Sequence, residues 1–353
     1  MASSNVQSIK IGVIGAGSWG TALANLLAEK GDQVTLWAKE PEVVKGINQE
    51  HRNPLYLKKY QLSAQLKATN DLKEVIKEKD LILSVSPSQF VRDLTKQAVP
   101  FLSSDPIIVN ASKGIENDSL MTMNEVLREE LPKKFHSKLA FLSGPSFAEE
   151  VVQKTPTAVT IASQNPNIAE EVQKIFFTEF FRTYTSDDVI GVELGGSLKN
   201  VIAIAAGISD GMGLGHNSRA ALITRGLGEM TQLGVKMGAN PITFLGLAGM
   251  GDLILTCTSN MSRNHTVGVK LGEGKRLKEI LKEMTMVAEG IKTARSANDL
   301  AKRENVELFI CQKIYEILYK DANPKEILGE IMSRSLKPEF PWLKNYRKNR
   351  RNH

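Results

Sequence analysis

Short apolar runs that stop at glycine or small polar residues fill the first half of the chain. Ile9, Ile11, Val13 and Ile14 make the first, and stretches 80–87, 107–114 and 139–146 repeat the form. Their β-branched and aliphatic residues, bounded by turn formers, predict buried strands. Each ends in a set such as Ser112-Lys113-Gly114 or Ser143-Gly144-Pro145-Ser146, as expected where strand C-termini open onto a ligand crevice. Leu23, Leu26 and Leu27 share one face of a helix predicted over residues 21–30, Gly31 stops it, and residues 33–37 form the next strand. Residues 38–63 mix proline, charge and aromatics and predict a loop-rich connection. Later strands are expected at 157–162 and 182–185, with a helix over 167–180 between them. From Gly191 the alternation disappears and helical periodicity runs to about Met332. The nearly all-apolar run 201–208 marks a buried helix at the heart of this second half.

The first two strands and their helix enclose Gly15-Ala16-Gly17-Ser18-Trp19-Gly20, a G-x-G-x-x-G string. In a strand, turn, helix and strand of about thirty residues this string signals dinucleotide binding. Gly15 makes the tight turn, Gly17 lets the backbone approach a pyrophosphate, and Gly20 lets the helix pack close, while the helix N-terminus offers free N–H groups. The expected architecture is an α/β, Rossmann-like doubly wound domain over 1–190, then an all-α domain over 191–336. A basic, disordered tail over 337–353 follows.

Composition narrows the function classes. With 353 residues, 42% of them hydrophobic and 24% charged, the chain reads as an ordinary soluble protein of two domains. The net charge of +6 points toward nucleic acid until it is located. Six basic residues and one acid from Lys337 onward carry +5 of it, which leaves +1 for the remainder and speaks against nucleic-acid binding. Cys257 and Cys311 are too few for a disulfide scaffold and fit a reducing, cytoplasmic setting. The polar start gives no room for a secretory signal, and no apolar run is expected to approach bilayer length. The five histidines show no metal-ligand spacing, and no G-x-S-x-G elbow occurs. For the tail, with Trp342 and Tyr346, the functional alternative to a dispensable extension is attraction to an anionic membrane.

Residues 15–23, Ser112-Lys113-Gly114-Ile115-Glu116 and Ser143 to Ala148 form an ordered series of motifs. The series continues through Leu198 to Ala203, Gly251-Asp252 to Cys257, Ser262-Arg263-Asn264 and Val287-Ala288-Glu289-Gly290. On these residues, in this order, the sequence resembles the NAD(P)-dependent glycerol-3-phosphate dehydrogenases of bacterial type. The resemblance implies reversible hydride transfer between NADP or NAD and C2 of a three-carbon phosphate, dihydroxyacetone phosphate or sn-glycerol 3-phosphate. It also implies a homodimer and a role supplying glycerophospholipid synthesis. Lys199 takes the family's catalytic position as general acid/base. The substrate then falls to Lys113, Gly144, Ser146, Lys199, Asp252, Ser262, Arg263 and Asn264. The cofactor candidates are Gly15, Gly17, Ser18, Trp19, Gly20, Lys39 and Tyr56 from the first half of the first domain. Lys113, Ala148, Arg263, Val287 and Glu289 complete that set.

The residues themselves leave blander alternatives open. Lys199 beside an apolar run reads as a desolvated ammonium of lowered pKa, or as a surface lysine snorkelling to water. Asp252 reads as the group that orients Lys199, or as a helix cap; Ser262 reads as a phosphate ligand, or as a cap alone. Rival classes are the 3-hydroxyacid and 6-phosphogluconate dehydrogenases and a nucleotide sensor without turnover. The first lacks a reason for Ser262 to Asn264 together with Asp252, and the second for retaining Lys113, Lys199, Asp252 and Arg263. For the cofactor, Lys39 is the first charged side chain beyond the second strand and favours a 2′-phosphate, hence NADP. Glu40 stands at the spacing of a ribose ligand, but Pro41 turns the chain away.

Overall fold

The computed structural model describes residues 8–103, 105–284, 288–333, 335–336 and 338–339. The basic tail therefore lies almost wholly outside the described residues. The apolar runs form β1 (Lys10–Ile14), β2 (Gln33–Trp37), β3 (Lys67–Thr69), β4 (Leu81–Ser84), β5 (Ile107–Asn110) and β6 (Leu139–Ser143). Two more, β7 (Thr157–Ala162) and β8 (Phe181–Ser186), complete one sheet among the described residues, in the order β3-β2-β1-β4-β5-β6-β7-β8. Only the β6–β7 pair within it is antiparallel. Ile14 at the end of β1 lies between Trp37 of β2 and Ser84 of β4, so the strand order reverses there. That reversal is where an open α/β sheet leaves a crevice.

Helices α1 (Ser18–Glu29), α2 (Pro41–Lys45), α3 (Leu72–Ile76), α4 (Val91–Ala98), α5 (Met123–Glu130), α6 (Ala148–Val152) and α7 (Pro166–Phe176) cover this sheet. The helix expected to run through Phe180 ends at Phe176. There Thr178 turns the chain, its N–H bonding the Phe181 carbonyl and its hydroxyl accepting the Phe181 N–H at 2.9 Å. The connection expected over 38–63 contains α2, which has Pro41 in its first turn where the missing N–H is harmless. It also folds back on the glycine turn.

The second domain is helical among its described residues: α8 (Val189–Gly211), α9 (Gly215–Lys236), α10 (Asp252–Thr258), α11 (Arg263–Gly272), α12 (Leu277–Glu283), α13 (Glu289–Arg303), α14 (Phe309–Tyr319) and α15 (Pro324–Ser333). Asp188 caps α8, accepting the Gly191 N–H at 2.9 Å. Val189 and Val192 pack into a first-domain core with Val126 and Phe141, while Leu198 to Ile208 centre the second core. Helix α8 corrects one expectation. By length and composition it is apolar enough to cross a membrane, and 89% of that stretch is buried inside the protein. Helices α9, α10, α11, α13 and α14 pack against it, so it is the hub of a protein core. Its approach to α11 is backbone on backbone. A Cβ on Gly207 would lie 2.1 Å from the His265 carbonyl oxygen, and one on Gly268 would lie 2.2 Å from that of Ile204.

Candidate active site

At the crevice, Gly15 has φ +114°, a conformation that L side chains rarely adopt, and a Cβ on Gly20 would sit 1.9 Å from the Gly15 carbonyl oxygen. The turn thus needs glycine at both positions, while a Cβ on Gly17 would meet open space. Gly17 is also the N-cap of α1 and supplies no side-chain cap, so the first-turn N–H groups face the crevice without one. Asn53, fully buried, clasps the turn: its Nδ2 donates to the Ala16 carbonyl at 2.9 Å and to Thr21 Oγ1 at 2.8 Å. Ser18 Oγ donates to the Tyr56 carbonyl at 3.0 Å. Sequence reasoning missed Asn53, whose partners lie more than thirty residues away. Trp19 lies half-buried nearby with an enclosed, unpartnered Nε1.

Past β2, Lys39 is exposed. Glu40 is engaged instead, accepting a hydrogen bond from the Tyr56 hydroxyl at 3.0 Å. Burial first, and then this carboxylate, raise the Tyr56 pKa.

The centre of the site is a carboxylate shared by two lysines. Asp252, at the first turn of α10, is fully buried, and Lys199 on α8 is only 7% exposed. Lys199 Nζ donates to Asp252 Oδ1 and, at 2.9 Å, to Thr256 Oγ1. Lys113, just beyond β5, donates to Asp252 Oδ2 at 2.6 Å and to the Gly144 carbonyl at 3.1 Å. Lys199 therefore does not snorkel. Burial pulls its pKa down to about 8, with the Lys113 charge adding and Asp252 opposing. Thr256 was not singled out from sequence, although its place four residues after Asp252 puts both on one helix face. Cys257 beside it is inert, its thiol pushed up to about 12 by burial.

Ser262 opens α11 as a helix cap, accepting the His265 N–H at 3.2 Å. Arg263 follows, solvent-exposed but crowded by the crevice walls; desolvation lowers its pKa and Glu289 opposes that. Asn264 is committed to packing: its Nδ2 donates to Asn200 Oδ1 at 2.9 Å and its Oδ1 accepts the Gly290 N–H at 2.9 Å. It thereby ties α11 to α8 and α13. Glu289, at the start of α13, faces Arg263, Lys113 and Lys199; desolvation pushes it up to about 7 against those three cations and the Ser88 N–H. Ser146 Oγ donates to the Gly144 carbonyl at 3.0 Å, and Ala148 begins α6 just beyond. Val287 lies outside the described residues. The structure thus gathers Lys113, Gly144, Lys199 and Asp252 into one cluster flanked by Arg263 and Glu289, with the glycine turn, Lys39 and Tyr56 at the β1–β2 end of the crevice.

Comparison with known proteins identifies the family. The family model for the NAD-dependent glycerol-3-phosphate dehydrogenase N-terminus matches residues 10–169, and that for the C-terminus matches 188–329. The glycerol-3-phosphate dehydrogenase [NAD(P)+] of Syntrophobacter fumaroxidans is 55% identical over 330 residues, covering 94% of this chain and 97% of that one. Its counterpart from Geobacter metallireducens is 57% identical, covering 94% and 98%. Among solved structures, glycerol-3-phosphate dehydrogenase from Coxiella burnetii superposes with a TM-score of 0.88 at 40% identity, over 93% of this chain and 99% of that one. A D-mandelate dehydrogenase, at 11% identity and TM-score 0.60, shares the fold alone.

Proposed function

Because the chain belongs to the NAD-dependent glycerol-3-phosphate dehydrogenase family, we propose that it reduces dihydroxyacetone phosphate reversibly to sn-glycerol 3-phosphate with Lys199 as general acid/base. The observation that carries this reading is the buried carboxylate of Asp252 held between two ammonium groups. One carboxylate against two lysines leaves a net positive charge where a carbonyl oxygen gains negative charge in the transition state. Lys199 gives its proton to the C2 oxygen in reduction and takes it back in oxidation. A pKa brought down to about 8 suits both directions. Asp252 fixes the direction of both ammonium groups, and Lys113 polarises the substrate oxygen. Arg263 and the N–H groups at the start of α11 take the phosphate, the guanidinium by charge-assisted hydrogen bonds.

The residues at the glycine turn fit a dinucleotide, since the open space over Gly17 and the uncapped start of α1 leave N–H groups for a pyrophosphate. Ser18, Trp19, Tyr56, Ala148 and Glu289 line the same binding path. When bound, the dinucleotide supplies or accepts the hydride. Purified protein should oxidise NADPH with dihydroxyacetone phosphate and fail to do so with unphosphorylated dihydroxyacetone. Turnover with a 3-hydroxy acid but not with the phosphate would overturn the assignment.

NADP is the preferred form in this reading, through Lys39 on the 2′-phosphate, because Glu40 is already engaged by Tyr56. Lys39→Ala should lower the NADPH-to-NADH ratio of kcat/KM about fivefold, the worth of one exposed charge contact of about 1 kcal/mol. NADH kinetics should be spared. A wild type that favours NADH, with Glu40→Ala harming NADH alone, would make Glu40 the ribose ligand. A homodimer, a cytoplasmic location and a supply role for glycerophospholipid synthesis complete the proposal on the strength of the family.

A further inference from the structure

Behind Lys113 lies an enclosed space that the proton transfer does not use. Asn110 and Ser112 at the end of β5, Ser143 at the end of β6, Lys113, and Val192 and Glu193 on α8 line it, and its free volume of about 10 Å³ admits one water. Four of these residues carry a buried polar atom with no hydrogen-bond partner: Asn110 Oδ1, Ser112 Oγ, Ser143 Oγ and Glu193 Oε2. Nearly all buried polar atoms in folded proteins have a protein or water partner, so four without one around a single small cavity mark a bound molecule. The rest of each group is already fixed. Asn110 Nδ2 donates to the Ser112 carbonyl at 3.1 Å, and Glu193 Oε1 accepts the Asn124 N–H at 2.8 Å in the first turn of α5. Although the Glu193 residue keeps some exposed surface, its Oε2 is shut off from solvent.

The chemistry of the four unpaired atoms selects the molecule. Asn110 Oδ1 only accepts, the two hydroxyls donate or accept, and the carboxyl can do either according to its proton. A single water, donating twice and accepting twice, satisfies all four, whereas a metal ion would sit against the positive charge of Lys113. We propose that Glu193 is a positioning residue which, with Asn110, Ser112 and Ser143, holds one internal water that locks the ends of β5 and β6 and thereby the reach of Lys113. The role given to Lys113 rests on the function proposed above; the water does not. Burial pushes the Glu193 carboxyl up to about 8; the Asn124 and Met123 N–H groups and the Thr122 hydroxyl at the start of α5 oppose this and Glu125 adds to it. In its neutral form the carboxyl supplies an O–H to the water, and in its charged form it accepts one. Glu193 also joins the two domains directly, reaching from α8 to the start of α5.

A crystal structure of the wild-type chain at high resolution tests the site first. Density for one water within hydrogen-bond distance of Glu193 Oε2 and of at least one of the two serine hydroxyls is expected; an empty cavity, or an ion at coordination distances, overturns the proposal. Steady-state kinetics with dihydroxyacetone phosphate and NADPH test the positioning. Glu193→Leu should lower kcat/KM about tenfold, within the range produced by misplacing a reacting group. Glu193→Gln, which keeps an acceptor for Asn124 and a donor for the water, should recover most of that loss. Ser143→Ala, a smaller change that guards against misfolding, should cost a few-fold alone and little more in the Glu193→Leu background, because both act through one water. Equal losses in Glu193→Gln and Glu193→Leu, or additive losses in the double variant, refute the shared water. If no variant and no wild type turns over the phosphate, the functional reading fails while the water density still decides the site.

Discussion

Lys199→Met should abolish turnover, by roughly 10² to 10⁴-fold, while leaving dinucleotide affinity nearly unchanged. The lysine is the buried partner of Asp252 on the helix at the centre of the second domain, far along the chain from the glycine turn. Asp252 keeps Lys113 as an ion-pair partner in the variant, so the carboxylate is not left unpaired. In the wild type, kcat/KM for reduction should fall as pH rises through about 8, where Lys199 loses the proton it donates, and that for oxidation should rise through the same pH. Stability carries a matching signature. Between about pH 8 and the ordinary lysine value of 10.5 the unfolded chain holds the proton that the folded chain has released, so stability increases with pH over that window. Lys199→Met should lack this increase. Near-normal kcat in the variant, measured by NADPH consumption, would remove Lys199 from the mechanism.

Arg263→Ala should raise the KM for dihydroxyacetone phosphate by about ten- to a hundredfold, the loss of one charge-assisted bond worth roughly 1.5 to 3 kcal/mol. The KM for NADPH should move far less. The side chain starts α11 and is exposed, so that in the proposed reading a guanidinium and first-turn N–H groups are open to an incoming phosphate. Glu289 tunes it from the start of α13, so a lesser effect on the cofactor is built into the geometry. Steady-state titration of each substrate at saturation of the other makes the comparison. A change confined to the NADPH KM would assign Arg263 to the cofactor instead.

What the sequence discloses is what local chemistry determines. The strand ends, the glycine turn and the apolar helix at 201–208 follow from patterns within a few residues, and all of them stand in the fold. Lys199 was legible as a candidate only through the family, because an apolar flank alone does not say whether an ammonium turns to water or to a carboxylate fifty residues away. Asn53, Thr256 and Glu193 were illegible for the same reason: each is an ordinary polar residue until the chain brings its partners from a distance. Asn264 shows the converse, since the motif pointed to the substrate and the side chain spends its hydrogen bonds on Asn200 and Gly290. The end of α7 at Phe176 was hidden because the aromatic run after it suits helix and strand alike until Thr178 turns it.

The close contact of α8 with α11 sets a length scale. Lys199 rides on one helix and Arg263 on the other, and no side-chain layer separates them where Gly207 and Gly211 meet Gly268 and Gly272. A packed layer of leucines can repack when pushed; two backbones in contact cannot, and the Asn200–Asn264 bond pins the pair further along. With the roles proposed for Lys199 and Arg263, the span from proton donor to phosphate anchor is that of a fixed caliper. A substrate homologue with an extra methylene between carbinol carbon and phosphate should then be a poor one, because no side-chain rearrangement is available to accommodate it.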